Sequence, residues 1–218
     1  MKKVFLTLAI CLLTVASQAQ IVSSRSRSIT TQAADYPDYQ RVHINYAPVD
    51  LGGDYGKHSD YSLSGIELGY AKGTSISNTM PLYVEYGANL HYAWDSIDDE
   101  DETMTLSCLN LNVPVNLVYR YNIGNGMYLA PYAGLHARVN ILATEKYEDE
   151  YYDESKTINL FDKDDVDYTA KRLQIGAQIG VGFDINNIHV GLGYVFDMTE
   201  FMKKTTTSGL RATVGFNF

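Results

Sequence analysis

Residues 82–94 alternate without a break. Leu82, Val84, Tyr86, Ala88, Leu90, Tyr92 and Trp94 fall on one side, and Tyr83, Glu85, Gly87, Asn89, His91 and Ala93 on the other. A period of two puts successive side chains on opposite faces, so the segment is a strand with two unlike faces. Seven further segments divide in the same way. Val42, Ile44 and Tyr46 oppose Arg41, His43 and Asn45; Ile66, Leu68 and Tyr70 oppose Glu67 and Gly69. Leu109 to Tyr119 oppose Asn110, Asn112, Asn116 and Arg120, and Leu129, Ala133, Leu135, Val139 and Ile141 oppose Tyr132, His136, Arg138 and Asn140. Near the end, Leu173, Ile175, Ile179, Val181 and Phe183 oppose Arg172, Gln174, Gln178 and three glycines. Ile188 to Phe196 oppose His189, Gly191 and Gly193, and Leu210, Val214, Phe216 and Phe218 oppose Arg211, Thr213 and Asn217. Eight such strands close naturally into an even-numbered antiparallel ring, because closure leaves no unpaired edge.

Period two alone does not say which face points inward. A soluble barrel puts the apolar face inside, whereas a membrane barrel puts it outside. Lysine placement decides for the membrane. All eight lysines beyond residue 19 (Lys57, Lys72, Lys146, Lys156, Lys163, Lys171, Lys203, Lys204) fall in connections or at strand ends. A solvated face normally carries lysine; this polar face carries Arg, Asn, Gln, His and Gly, which suit a crowded interior. The apolar face is rich in Leu and Tyr, with Trp94 and several tyrosines near strand ends as an aromatic girdle. The expected fold is therefore all-β: an eight-stranded antiparallel up-and-down transmembrane β-barrel.

The N-terminus gives the compartment. Lys2 and Lys3 precede an uncharged apolar run from Val4 to Val15, and Ser17-Gln18-Ala19 sets small residues at a cleavage site. Residues 1–19 read as a secretory signal peptide. Cys11 does not make a lipoprotein, since Ile10 before it is not small, and cleavage leaves Cys108 as the single thiol. Residues 20–38, rich in Ser, Thr, Arg and Gln, read as a flexible leader before a barrel over 39–218. No periplasmic peptidoglycan-binding domain is expected. Without residues 1–19 the chain has 15 basic against 26 acidic residues, which argues against nucleic-acid binding. The location expected is the cell outer membrane, with outer-membrane lipids as surroundings.

Connections of two kinds fit this topology. Periplasmic turns fall near 72–80, 121–126 and 185–187, two of them carrying Gly124-Asn125-Gly126 and Asn186-Asn187. External loops fall near 49–60, 95–103, 143–169 and 198–207. Residues 95–103 hold six acids and no base, and 143–169 hold ten acids and three lysines. Alternation stops at about Leu142, so 143–169 reads as one long loop.

The stretch Leu109-Asn110-Leu111-Asn112-Val113-Pro114-Val115-Asn116-Leu117 resembles a strand of the small outer-membrane β-barrel (porin-like) family of Gram-negative bacteria, and Tyr128-Leu129-Ala130-Pro131-Tyr132-Ala133-Gly134-Leu135 resembles that family's next strand. The ending Phe216-Asn217-Phe218 is similar to the terminal aromatic signal read by the outer-membrane assembly machinery, although Thr213 stands where that signal often has Gly. The resemblance implies fold and location; the family has no single activity to carry over.

Candidate chemistry is sparse. His43, His91, His136 and His189 share the polar face, His43 and His189 toward the periplasm and His91 and His136 toward the outside. Zinc needs three or four converging ligands, and the pattern supplies none. Ser62 and Ser64 share the face of Ile66, Ser107 is placed on the polar face, and no Ser/His/acid trio can be nominated. The run Asp162 to Asp167 lacks the central Gly of a calcium loop and has Leu173 at the twelfth position. No catalytic, cofactor-binding or metal residue is assigned. Arg41, Arg120, Arg138, Arg172 and Arg211 are expected to meet Glu67 and Glu85 in a plugged lumen, with Asp184 and Asp197 at its ends. Glycines in the sixth and seventh strands could instead leave space for water. The functional reading is a structural or surface-interaction module acting through acidic external loops on an unidentified ligand. Alternatives are a narrow transport or signalling pore and, last, a lumen enzyme.

Overall fold

The computed structural model describes residues 36–53, 62–99, 102–149, 154–164, 166 and 169–218. The expected signal peptide and most of the leader lie outside the described residues. Those described form strands β1 (Tyr39–Tyr46), β2 (Val49–Gly53), β3 (Ser62–Ser75), β4 (Leu82–Asp99), β5 (Glu102–Tyr119), β6 (Tyr121–Gly124), β7 (Met127–Asp149), β8 (Glu154–Asn159), β9 (Leu173–Ile185), β10 (Ile188–Asp197) and β11 (Thr205–Asn217). Every pairing is antiparallel, and β1 meets both β3 and β11, which closes the ring.

Eight staves make that ring. β1 and β2 are one stave, since Tyr46↔Ala212 and Asp50↔Ser208 hold the same register on β11 across the gap. The gap is at Pro48, which has no N–H for the ladder. β6 likewise continues β5 beyond Arg120 and pairs with β7. β8 alone is not a stave; it pairs only with the outer end of β7 among the described residues. Two periplasmic turns use residues that tolerate positive φ: Gly124 (φ 97°), Asn125 (φ 53°) and Gly126 (φ 74°) in one, Asn186 (φ 54°) in the other.

The alternation resolves as a polar interior and an apolar exterior. Leu68, Leu192 and Leu210 stand outward, 65%, 66% and 67% exposed, while Glu67 and Asn112 beside the axis are 1% and 0% exposed. Such an outward leucine surface is stable only against hydrocarbon. Tyr92 stacks on Trp94 with ring centroids 5.4 Å apart on this outer face, as a girdle requires.

Three expectations change. First, the external connections carry far more strand than alternation suggested. β4 pairs with β3 only up to Ser64↔Trp94, yet continues to Asp99 against β5. β7 pairs with β9 only up to Val139↔Leu173, yet continues to Asp149 between β5 and β8. A four-stranded sheet, β4-β5-β7-β8, thus extends past the ring, and residues 143–149 and 154–159 of the expected 143–169 loop are strand in it. The cause of the misreading is a β-bulge: the β5–β7 register shifts between Leu109↔Leu142 and Asn110↔Asn140. One extra residue reverses the parity of β7, so Ala143 is fully buried where Leu142 before it is exposed. Second, Arg172 lies before β9 and outside the barrel, exposed. Its guanidinium carbon sits 4.1 Å from the Phe161 ring centroid. Third, Ser107 faces out, because Leu106 and Cys108 face in; Ser107 Oγ accepts a 3.4 Å hydrogen bond from Tyr92.

A closed lumen beneath an external sheet

Four arginines and four carboxylates line the interior and pair one to one. Near the periplasm Arg120 Nε meets Asp184 Oδ2 at 2.9 Å. Above it Arg41 Nη2 meets Glu85 Oε2 at 2.8 Å, and Arg211 Nη2 meets Glu67 Oε2 at 3.0 Å. Toward the outside Arg138 Nη1 meets Asp197 Oδ2 at 2.7 Å. Every pair joins two staves across one that lies between them: β5/β6 to β9, β1 to β4, β11 to β3, and β7 to β10. Neighbouring staves are already held by backbone ladders, so the ion pairs add bracing at the next order. No described carboxylate of the lumen lacks its arginine.

Amides and rings link the pairs. Glu85 also accepts from Tyr39 Oη at 2.8 Å and from Asn116 Nδ2 at 3.3 Å. Asn116 Oδ1 takes Gln178 Nε2 at 2.6 Å, and Gln178 Oε1 takes Arg211 Nη1 at 3.1 Å. Asn45 Nδ2 donates to Glu67. Asp197 is held by His136 Nε2 at 2.7 Å, Gln174 Nε2 at 3.0 Å and the Thr207 hydroxyl. The partners fix tautomers. Arg41 can only donate, so His189 Nε2 accepts from it at 3.1 Å and Nδ1–H donates to Asp184 at 2.7 Å. His91 donates from Nε2 to Ala47 O at 2.9 Å and accepts from Asn110 at Nδ1. A buried charge without a partner costs several kcal/mol, so this one-to-one set is the condition for a charged interior in a bilayer.

The interior glycines of the sixth and seventh staves are partly covered by rings, while Gly191 also borders a small mid-barrel cavity. The Tyr132 ring end lies over Gly180 and Gly193, and the His189 ring over Gly182 and Gly191. The four histidines share the inward face, and the structure sets His136 and His189 in separate ion pairs, with His91 on Ala47 O and Asn110. Among the described residues no group of three or more His, Cys, Asp or Glu converges as metal ligands do. His136 and His189 each hold an aspartate that also serves an arginine, an arrangement that positions charge.

At the outer end the inward face changes character. Leu51, Leu63, Ala93, Leu106 and Ala143 turn in from the staves, and Leu160, Ala170, Phe201 and Met202 pack onto them from the connections. Lys171 N–H to Phe201 O at 2.6 Å and Ala170 N–H to Leu160 O at 2.7 Å fix this apolar cap. Alternation missed it; following the Asn112–Asn110 face onward to Cys108 and Leu106 would have found the staves' share. Outside the barrel, Lys171 and Lys204 hold Glu200, whose carboxyl is lowered below its ordinary pKa by the hydrogen bond from Lys171, then by that from the Lys204 N–H. On the external sheet, Lys146 pairs with Glu148 at 2.5 Å, and the register sets Asp99, Glu102, Asp149 and Glu154 in one cross-strand row.

A family model described as the outer membrane protein β-barrel domain matches residues 5–218. No curated protein matches the chain by sequence. Among solved structures, the chain is similar to Ail, the attachment invasion locus protein of Yersinia pestis, in complex with the heparin analogue sucrose octasulfate (11% identity, TM-score 0.50, 83% of this chain and 99% of that one). It is also similar to Neisserial surface protein A (14%, 0.45, 83% and 97%) and to the outer membrane enzyme PagL (13%, 0.48, 80% and 98%). At these identities the likeness is one of fold alone.

Proposed function

Since this chain belongs to the outer membrane protein β-barrel family and resides in the cell outer membrane, we propose that its barrel is an anchor and that its external β4-β5-β7-β8 sheet is the binding element. The observation that carries this reading is the lumen: four ion pairs brace it along its length and an apolar cap packs over its outer end. What remains outward is the sheet. Among the described residues its two outer strands, β4 over 95–99 and β8, pair on one side only. An unpaired strand edge accepts an extended segment of a partner by backbone hydrogen bonding. The acid-rich row suits a protein partner with a basic surface; it suits a sulfated sugar, such as the sucrose octasulfate in the Yersinia pestis structure, poorly.

On the same reading, residues 1–19 are the export signal, residues 20–38 remain in the periplasm, and Phe216-Asn217-Phe218 at the end of β11 presents the assembly machinery with its recognition strand. The test replaces residues 96–105 and 144–159 with short turns. Insertion, read as altered gel mobility without boiling, is expected to survive, and adherence of intact cells to protein-coated surfaces to fall to background. Loss of insertion with the sheet removed, or unchanged adherence, refutes the assignment.

A further inference from the structure

The external sheet has two unlike faces. Above Trp94 its outward face carries hydroxyls, Ser96 Oγ lying 3.0 Å from Thr105 Oγ1. Lys146 and Glu148 on that face neutralise one another. The inward face continues the parity of buried Leu106 and runs beyond the apolar cap in rows two residues apart. The lowest row sets Asp95 and Glu145 on either side of Leu106. The middle row sets Met104 beside Tyr147, with Lys156 at its β8 end, and the highest sets Glu102 beside Asp149. Tyr147 is 41% exposed and Met104 is half-buried, so an apolar pair faces outward to solvent between two acidic rows. Among the described residues Asp95, Glu102 and Glu145 form no ion pair.

The spacing of these rows selects the partner. Residues four apart on one strand are separated by about 14 Å, so the two acidic rows stand about that far apart with the apolar pair midway. An α-helix with its side chains is about 10–12 Å across. Laid across the strands with its apolar stripe on Met104 and Tyr147, a helix brings one flank over each acidic row. Long basic side chains on those flanks reach the carboxylates while their stems cover apolar surface. An extended segment laid along the same line presents one file of side chains and meets one row only. We propose that the inward face of the external sheet docks a cationic amphipathic helix, apolar along one stripe and rich in lysine or arginine on both flanks. Lys156 sets its direction, because the carboxyl-terminal end of a helix is the negative pole. This inference rests on the external sheet as the binding element and assigns the partner to its face, apart from its edges.

The probe is a fluorescent synthetic peptide of leucine and lysine in helical period, titrated into the protein in nanodiscs of zwitterionic lipid, with empty nanodiscs as the blank. Saturable binding that weakens as salt rises is expected, and none when glutamate replaces each lysine. Tyr147→Ser is expected to weaken binding about tenfold. Asp95→Asn, Glu102→Gln and Glu145→Gln together are expected to weaken it at least about threefold and to remove most of its salt dependence. Glu148→Gln, on the opposite face, is expected to leave the affinity unchanged. Absence of saturable binding to the wild type overturns the proposal whether or not the variants fold. Equal weakening by Glu148→Gln also overturns it, by reducing the binding to general charge attraction. Binding that withstands the face variants but is lost with residues 96–105 and 144–159 moves the peptide to the strand edges and overturns the face assignment. Failure of the external-sheet reading itself shows separately, as cell adherence unchanged by that deletion.

Discussion

Arg211 tests the bracing directly. Its guanidinium is the sole cation on Glu67, a carboxylate 1% exposed whose other oxygen has only Asn45. In Arg211→Met the carboxylate loses its counter-charge, and Gln178 Oε1 loses its donor. Removing one partner of a buried pair costs about 3–5 kcal/mol, whereas replacing both by apolar residues of similar volume is near neutral. The single variant should therefore unfold in urea about 1–5 M below the wild type, for slopes of about 1–3 kcal/mol/M. Arg211→Met combined with Glu67→Leu should recover most of that loss, so that the double variant is far more stable than the sum of the two single losses predicts. Trp94 is the only tryptophan and lies on the outer face, so its emission follows unfolding from micelles without further labelling. Additive losses in the double variant, or a single variant within about 1 kcal/mol of the wild type, would refute the view that the pair acts as a brace.

Purified protein in planar bilayers should show no steady large conductance; an open channel whose size changes on substitution of Arg138 or Glu85 would replace the anchor by a pore. Phe218→Asp should lower the yield of inserted barrel in cells by putting a charge at an outward terminal position 59% exposed, and normal insertion would count against the assembly role of the last strand. Trypsin added to intact cells should cut after Lys163, in the connection past β8, before it cuts after Lys146 or Lys156, which lie in paired strands; preferential cutting at Lys146 would mean that the external sheet does not persist on the cell.

Period two, lysine placement and turn residues were legible without a structure because each is a local property of the chain. They give the ring, the inward face of Glu67, Glu85 and Arg138, the tight turns at Gly124 and Asn186, and the stock of charges available to a lumen. Other features depend on which staves lie near each other and at what height. Arg41 meets Glu85 and not Glu67 because register and stave order fix where side chains on next-but-one strands coincide. Arg172 has the alternation of an inward residue but falls beyond the last ladder pair of β9; its carbonyl still accepts from Asn140 N–H, while its side chain turns out to Phe161. The bulge opposite Leu109 ends the readable period at Leu142 while the strand itself continues, which hides the external sheet. Phe201 and Met202 carry no periodic signal at all. Their burial exists only because the barrel mouth leaves an apolar ring of Leu51, Leu63 and Leu106 that the connections above can cover, a consequence of tertiary closure that no local pattern encodes.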